Sequence, residues 1–118
     1  MAVTKITIRE HTTSSIEIQL LSDNVAIDLT QLDGYPYVRL DMLDSLNKTY
    51  RYSSTDDTPS VVITNPSQGI ITFTPPDEDV FQFQRSPYKI YVWVFETSTK
   101  KYSVPEKGNS EILVEKEY

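Results

Sequence analysis

The chain predicts an all-β fold, a single antiparallel β-sandwich of about seven to nine short strands over residues 1–118, on three observations. The first is the run at 86–96, SPYKIYVWVFE, the longest unbroken β-forming stretch. The second is a series of short alternating segments, spaced by roughly 8–12 residues and punctuated by Pro, Gly, Asn, Asp and Ser. The third is that no segment sustains the 3.6-residue apolar period of a helix.

The run at 86–96 reads as the central strand. Alternation sends Tyr88, Ile90, Val92 and Val94 to one face and Lys89, Tyr91, Trp93 and Phe95 to the other. The all-apolar set is assigned to the core. The second face starts polar and ends aromatic, so it needs a covering loop or a partner.

The remaining elements follow in chain order. KITIR at 5–9 and SIEIQL at 15–20 alternate as half-buried strands on either side of a polar break at 11–14. Segment 1–9 reads as an N-terminal arm or edge strand, able to add to a neighbouring sheet. Ser22-Asp23-Asn24 is a turn, and Val25-Ala26-Ile27 a short strand after it. Residues 28–36 form a loop or short helical turn, broken most strongly at Asp33-Gly34. YVRLDMLD at 37–44 favours strand, although its later half tolerates helix, and 49–53 (TYRYS) completes a hairpin with it. Val61-Val62-Ile63-Thr64 and IITFT at 70–74 flank the NPSQG turn. Pro75 and Pro76 stop the second of these, having no N–H for a ladder. VFQFQ at 80–84 is a loop with inserted aromatics or a short extra strand. After the central strand come a turn at 97–101, a strand at 102–104, a break at 105–109 and a closing strand at 110–115.

Composition narrows function. A chain of 118 residues supports one domain with a genuine core, and the 11% of aromatic residues offset a hydrophobic content of only 38%. Seventeen acidic against eleven basic residues, a net charge of −6, disfavour a nucleic-acid backbone as partner. The absence of cysteine excludes disulfides and thiolate metal sites. The N-terminus has no signal-peptide pattern, and no stretch approaches the roughly 18 apolar residues of a membrane span. The expectation is a soluble protein made in the cytoplasm.

Little in the chain points to catalysis or to a cofactor. His11 is the single histidine; Ser14 and Ser15 lie close in sequence, but the segment has no strand-turn-helix elbow or oxyanion-hole glycines. Asp56-Asp57 and Asp77-Glu78-Asp79 could meet at one end of a sandwich, yet neither has the ligand spacing of a calcium loop. Gly34, Gly69 and Gly108 sit in separate turns and build no phosphate cradle. No enzyme, metal or cofactor is expected.

The aromatics are the remaining signal. Tyr35, Tyr37, Tyr50, Tyr52, Phe81, Phe83, Tyr91, Trp93, Phe95 and Tyr102 exceed what one small core readily buries. Aromatic side chains supply large contact area at small entropic cost, so exposed ones concentrate in interfaces. Tyr50 and Tyr52, on one parity beside Arg51, read as a contact strip. With Tyr91, Trp93 and Phe95 they form the expected partner-binding set.

Several segments together resemble a family of small immunoglobulin-like domains of tailed bacteriophages, typified by the N-terminal domain of siphophage baseplate upper proteins. The resembling features are Asp28-Leu29-Thr30 ahead of a strand ending at Met42-Leu43-Asp44, the hairpin around Asn65-Pro66-Ser67-Gln68-Gly69, Pro87-Tyr88 opening the long strand, and Pro105 before Ile112-Leu113-Val114. The likeness covers about residues 15–115 and departs from the family pattern at Gln31, where a glycine is usual, and in having no glycine before Tyr88. It implies an Ig-like, non-enzymatic structural protein of the virion that binds other phage proteins of the capsid or of the tail and baseplate. The roles that fit are capsid decoration (cement), a head-fibre base, or a tail or baseplate adaptor, with symmetric assembly as a homo-oligomer. Two other classes remain in view: a carbohydrate-binding module that stacks sugars on exposed aromatics for host adhesion, and a glycosidase-like hydrolase using a facing carboxylate pair.

Overall fold

A short strand of alternating polarity buries its apolar face only against another layer, and two such layers form this molecule. The structure, a computed structural model, describes residues 2–3, 6–31, 37–95, 101–105 and 110–116. Its strands are β1 (Ala2–Val3), β2 (Ile6–Arg9), β3 (Ile16–Ser22), β4 (Val25–Ala26), β5 (Tyr37–Leu43), β6 (Thr49–Ser53), β7 (Val61–Asn65), β8 (Ile70–Phe73), β9 (Tyr88–Phe95), β10 (Lys101–Val104) and β11 (Ser110–Glu115). One sheet runs β1-β3-β8-β7, with β4 on β3; the other runs β2-β11-β9-β5-β6, with β10 on β9. The β-sandwich expected from strand spacing is therefore the fold.

Of these strands, β1 and β4 have two residues each, and the other nine have four or more. Segment 1–9 supplies an edge strand to each sheet. The expectation of a wholly antiparallel sandwich is corrected at β2, which pairs parallel to β11 with Ile6 opposite Ile112 and Ile8 opposite Val114. Lettered from the N-terminus, with β10 and β11 sharing one edge of β9, the layers read ABED and A′GFCC′, the order of an immunoglobulin-type sandwich.

On β9, Tyr88, Ile90, Val92 and Val94 are fully buried, as the alternation requires. Val38, Leu40 and Met42 of β5 share that layer and meet Ile16, Ile18, Leu20, Ile71 and Phe73 in one cluster. The strand expected at 37–44 forms over Tyr37–Leu43, and Asp44 begins the turn. Segment 80–84 resolves as a loop whose Val80 and Phe81 enter the core, followed by a 3-10 turn at Phe83–Arg85. Residues 29–31 form another 3-10 turn: the Asp28 carboxylate accepts from the Thr30 N–H at 2.9 Å, and Leu29 is fully buried. Cis peptide bonds precede Pro87 and Pro105. The turn expected at Asp33-Gly34 lies outside the described residues, as do 97–100 of the turn expected at 97–101 and 106–109 of the break expected at 105–109; Lys101 already belongs to β10.

Tyr88 ties the loop to the central strand. Its hydroxyl donates to the Val80 carbonyl at 2.7 Å and accepts the Gln82 N–H at 2.9 Å, the tyrosine-corner geometry of immunoglobulin-type folds. Around it the aromatic rings interlock. Phe81 meets Tyr88 edge-on at 5.1 Å, Phe73 meets Phe81 at 6.0 Å, and Tyr52 tilts against Phe73 at 4.9 Å.

Asp44 shapes the turn between β5 and β6. Its carboxylate accepts the backbone N–H groups of Leu46 and Lys48, the Tyr50 hydroxyl and Arg85 Nη1, each at 2.9 Å. Burial by itself would raise its pKa, but the bonds from Lys48, Arg85, Tyr50 and Leu46 prevail and hold it below the ordinary aspartate range. A depressed carboxylate adds stability that is complete above its unfolded pKa and is lost as pH falls through the folded one. The stability difference between wild type and Asp44→Asn should therefore be constant near neutrality and shrink below about pH 4. Urea titrations at pH 7 and pH 3 measure it; equal differences at both would contradict the assignment.

Gly69 is the other fixed point. It closes the 3-10 turn Pro66–Gln68 at φ 65°, and a Cβ there would stand 2.6 Å from the Ile27 carbonyl and 2.9 Å from that of Leu20. Both obstacles are backbone, and the left-handed conformation is itself costly for other residues. Gly69→Ala is expected to lower unfolding free energy by about 2 kcal/mol or more in chemical denaturation.

Candidate functional site

The candidate surface is built by parity and register. Opposite the core, β9 presents Lys89, Tyr91, Trp93 and Phe95. The register to β5 sets Tyr37 beside Phe95, Arg39 beside Trp93 and Asp41 beside Tyr91. On the other flank, Lys101 of β10 lies beside Phe95 and Ser103 beside Trp93. Beyond β5, Arg51 of β6 lies beside Asp41. The outer face of the six-stranded sheet thus gathers three of the five expected residues with the charged Arg39, Asp41, Arg51, Lys89 and Lys101.

These side chains form a connected layer. Tyr37 and Phe95 stack at 4.1 Å with 13° between their planes. Phe95 is 7% exposed, although it lies outside the cluster between the sheets, so its cover comes from this layer. Trp93 and Tyr91, both half-buried, meet edge-on at 6.0 Å. Lys101 Nζ sits 4.7 Å from the Trp93 ring and 5.5 Å from that of Phe95. The Arg39 guanidinium lies 6.0 Å and 5.8 Å from the same two rings. A cation over an aromatic face is held by the ring quadrupole, with about 0.5–1 kcal/mol at an exposed site.

Asp41 is the anchor of the charged part. It is 2% exposed although it belongs to the outer face. Oδ1 accepts from Arg39 Nε at 3.1 Å and from Arg51 Nε at 3.2 Å, while Oδ2 accepts from Arg39 Nη2 at 3.3 Å. One buried carboxylate thus orients two guanidinium groups. Arg39 and Asp41 are two apart on one strand and so share a face, a signal visible in the sequence; Arg51 joins them only through hairpin register.

Tyr50 and Tyr52 correct the expected contact strip. Opposite Met42 and Leu40, they point inward with the core. Tyr50 is 9% exposed, with its hydroxyl on Asp44; burial first, and then that bond, push its pKa up. Tyr52 is half-buried against Phe73. Both line a hollow of about 180 Å³ with Lys48, Pro76, Asp77 and Asp79. Of the other aromatics expected at an interface, Phe81 is in the core, Tyr102 packs against it, Phe83 is 47% exposed, and Tyr35 lies outside the described residues.

The other candidates are dispersed. His11, in the left-handed region, has Nε2 3.9 Å from Glu10 Oε2. Ser15 Oγ pairs instead with Thr74 Oγ1 at 2.8 Å. Asp56 accepts the Ser53 N–H and Asp77 the Asp79 N–H, each within its own turn. Among the described residues, no three of His, Asp or Glu come together to hold a metal ion. A flat sugar-stacking platform of Trp93 with Tyr91 or Tyr52 is not formed either: the first pair meets at 79°, and Tyr52 is on the opposite face of the sheet.

Fold and face together define a β-sandwich with an aromatic and cationic outer sheet. Compared with protein-family models and with the curated proteins, the chain matches none.

The Asp41 assignment is directly testable. Asp41→Ala removes the shared acceptor and frees both arginines, at a cost of about 1–2 kcal/mol measured by urea denaturation. Trp93 is the single tryptophan, so release of Arg39 should also change its emission spectrum.

Proposed function

We propose that this protein is a non-enzymatic structural component of a tailed-phage virion, binding other virion proteins through the outer face of its six-stranded sheet. The observation that carries the docking reading is the layer of Tyr91, Trp93, Phe95 and Lys101. It combines the large half-buried rings of Tyr91 and Trp93, backed by the buried Phe95, with the Lys101 cation held over Trp93 and Phe95 on a regular sheet surface, the composition that concentrates binding energy at protein interfaces. The phage setting rests on the resemblance of the 28–30, 65–69, 87–88 and 105 segments. Those residues have structural work in this fold: Leu29 plugs the core, Gly69 closes a turn that admits no side chain, and Tyr88 forms the corner. On a repeating lattice, many weak contacts of one small domain sum to tight attachment.

The test is incorporation. Purified particles of the phage encoding this chain should contain the protein by mass spectrometry. Tyr91→Asp with Trp93→Asp should lower its occupancy about tenfold or more, with the purified variant still folded by circular dichroism. Absence of the wild-type chain from particles would overturn the virion reading. Full occupancy of the variant would overturn the face.

A further inference from the structure

We infer that the partner of this face is an acidic protein segment, which places carboxylates on Lys101, Arg39 and Arg51 while its apolar side chains cover Trp93 and Tyr91. This rests on the docking reading above and adds to it the chemistry of the partner.

The first argument is charge placement. The chain has a net charge of −6, and on this sheet Glu111 of β11 stands beside Lys89 and Glu115 beside Arg9 of β2, yet the outward positions of β5, β6 and β10 carry Arg39, Arg51 and Lys101 against Asp41 alone. That side of the face is a cationic island on an acidic molecule. The second argument is preorganisation. Of the five N–H donors of a guanidinium, Arg39 commits two to Asp41 and Arg51 commits one. Both groups are thus oriented before any partner arrives and keep donors for incoming carboxylates. Lys101 is placed by two rings and has no ion pair among the described residues. Ordering these long side chains, normally a cost of association, is largely complete in the free protein. The third argument is desolvation: an apolar side chain laid on Trp93 excludes water from the adjacent cations and strengthens their pairing.

A nucleic-acid strand offers negative charge and stackable bases too, but the charge distribution favours the peptide. Screening limits attraction to about 8–10 Å at ordinary salt, so a short acidic segment feels the local cations alone. A longer polyanion extends past the island and meets the acidic remainder of the chain.

Trp93 emission reads the face directly. The probes are a ten-residue peptide of alternating Glu and Val, its Gln and Val counterpart, and a ten-nucleotide oligothymidine. The Glu peptide should give a saturable change, bind about tenfold more tightly than the Gln peptide, and weaken several-fold as salt rises from about 50 to 200 mM. Arg51→Glu with Lys101→Glu should weaken it about tenfold or more, and the milder Lys101→Met by less; each variant should remain folded by circular dichroism, with a lower melting temperature for the first, which takes a donor from Asp41. Equal binding of the two peptides, tighter binding of oligothymidine, or no saturable change with the Glu peptide would overturn the inference. If that happens while the Tyr91 and Trp93 variant is still lost from particles, the acidic partner falls and the docking face stands.

Discussion

The two-residue period of β9 is the constraint on which the rest depends. Four consecutive inward positions are filled by fully buried Tyr88, Ile90, Val92 and Val94. Slipping the strand by one residue would drive Lys89 into the core and expose all four, a loss of several kcal/mol at about 1.5–3 kcal/mol per large apolar side chain. That parity leaves Tyr91, Trp93 and Phe95 no place except the outer face. The flanking strands then inherit their outward positions from β9, which puts Arg39 and Asp41 on one side and Lys101 on the other. The aromatic and cationic layer is a consequence of how the core is filled.

A second determinant acts on β6. In TYRYS the alternation is symmetric in information: either Tyr50 and Tyr52 or Thr49, Arg51 and Ser53 could face inward. The turn held by Asp44 decides, because it sets Tyr50 opposite Met42 and Tyr52 opposite Leu40. The same turn therefore buries two tyrosines and delivers Arg51 to Asp41. Its link to Arg85 joins the hairpin to the loop that Tyr88 anchors, so turn, corner and central strand form one hydrogen-bonded unit.

These two cases mark what was legible in the chain. The sandwich, the inward set of β9 and the strand character of 37–43 follow from periodicity, which is local. The inward direction of Tyr50 and Tyr52 and the Asp41 pairing with Arg51 depend on cross-strand register, which no window of residues contains. The parallel β2 and β11 pair joins segments about a hundred residues apart and has no local signature. Acidic clusters misled in a different way. Asp56 and Asp77 look available as ligands in the sequence, but each is engaged by a backbone N–H of its own turn, the ordinary use of short polar side chains in loops.

The two outer faces of the sandwich differ in a way that bears on binding. On the sheet β1-β3-β8-β7 the outward ladder aligns Glu17, Thr72 and Val62. Thr64 and Thr72 pair through their hydroxyls at 2.9 Å, and the Gln19 amide donates to the Gln68 carbonyl. The short polar side chains there are satisfied by one another and gain little from being covered, which leaves Val62, 38% exposed, as apolar surface on that ladder. The opposite face keeps half-buried indole and phenol rings, and each Å² of apolar surface withdrawn from water there contributes about 25 cal/mol. It also holds cations whose covering costs hydration unless the partner brings carboxylates to them, and whose pairing with such carboxylates strengthens as water leaves. A partner that supplies those carboxylates therefore gains most on the six-stranded sheet, by apolar burial and by charge together.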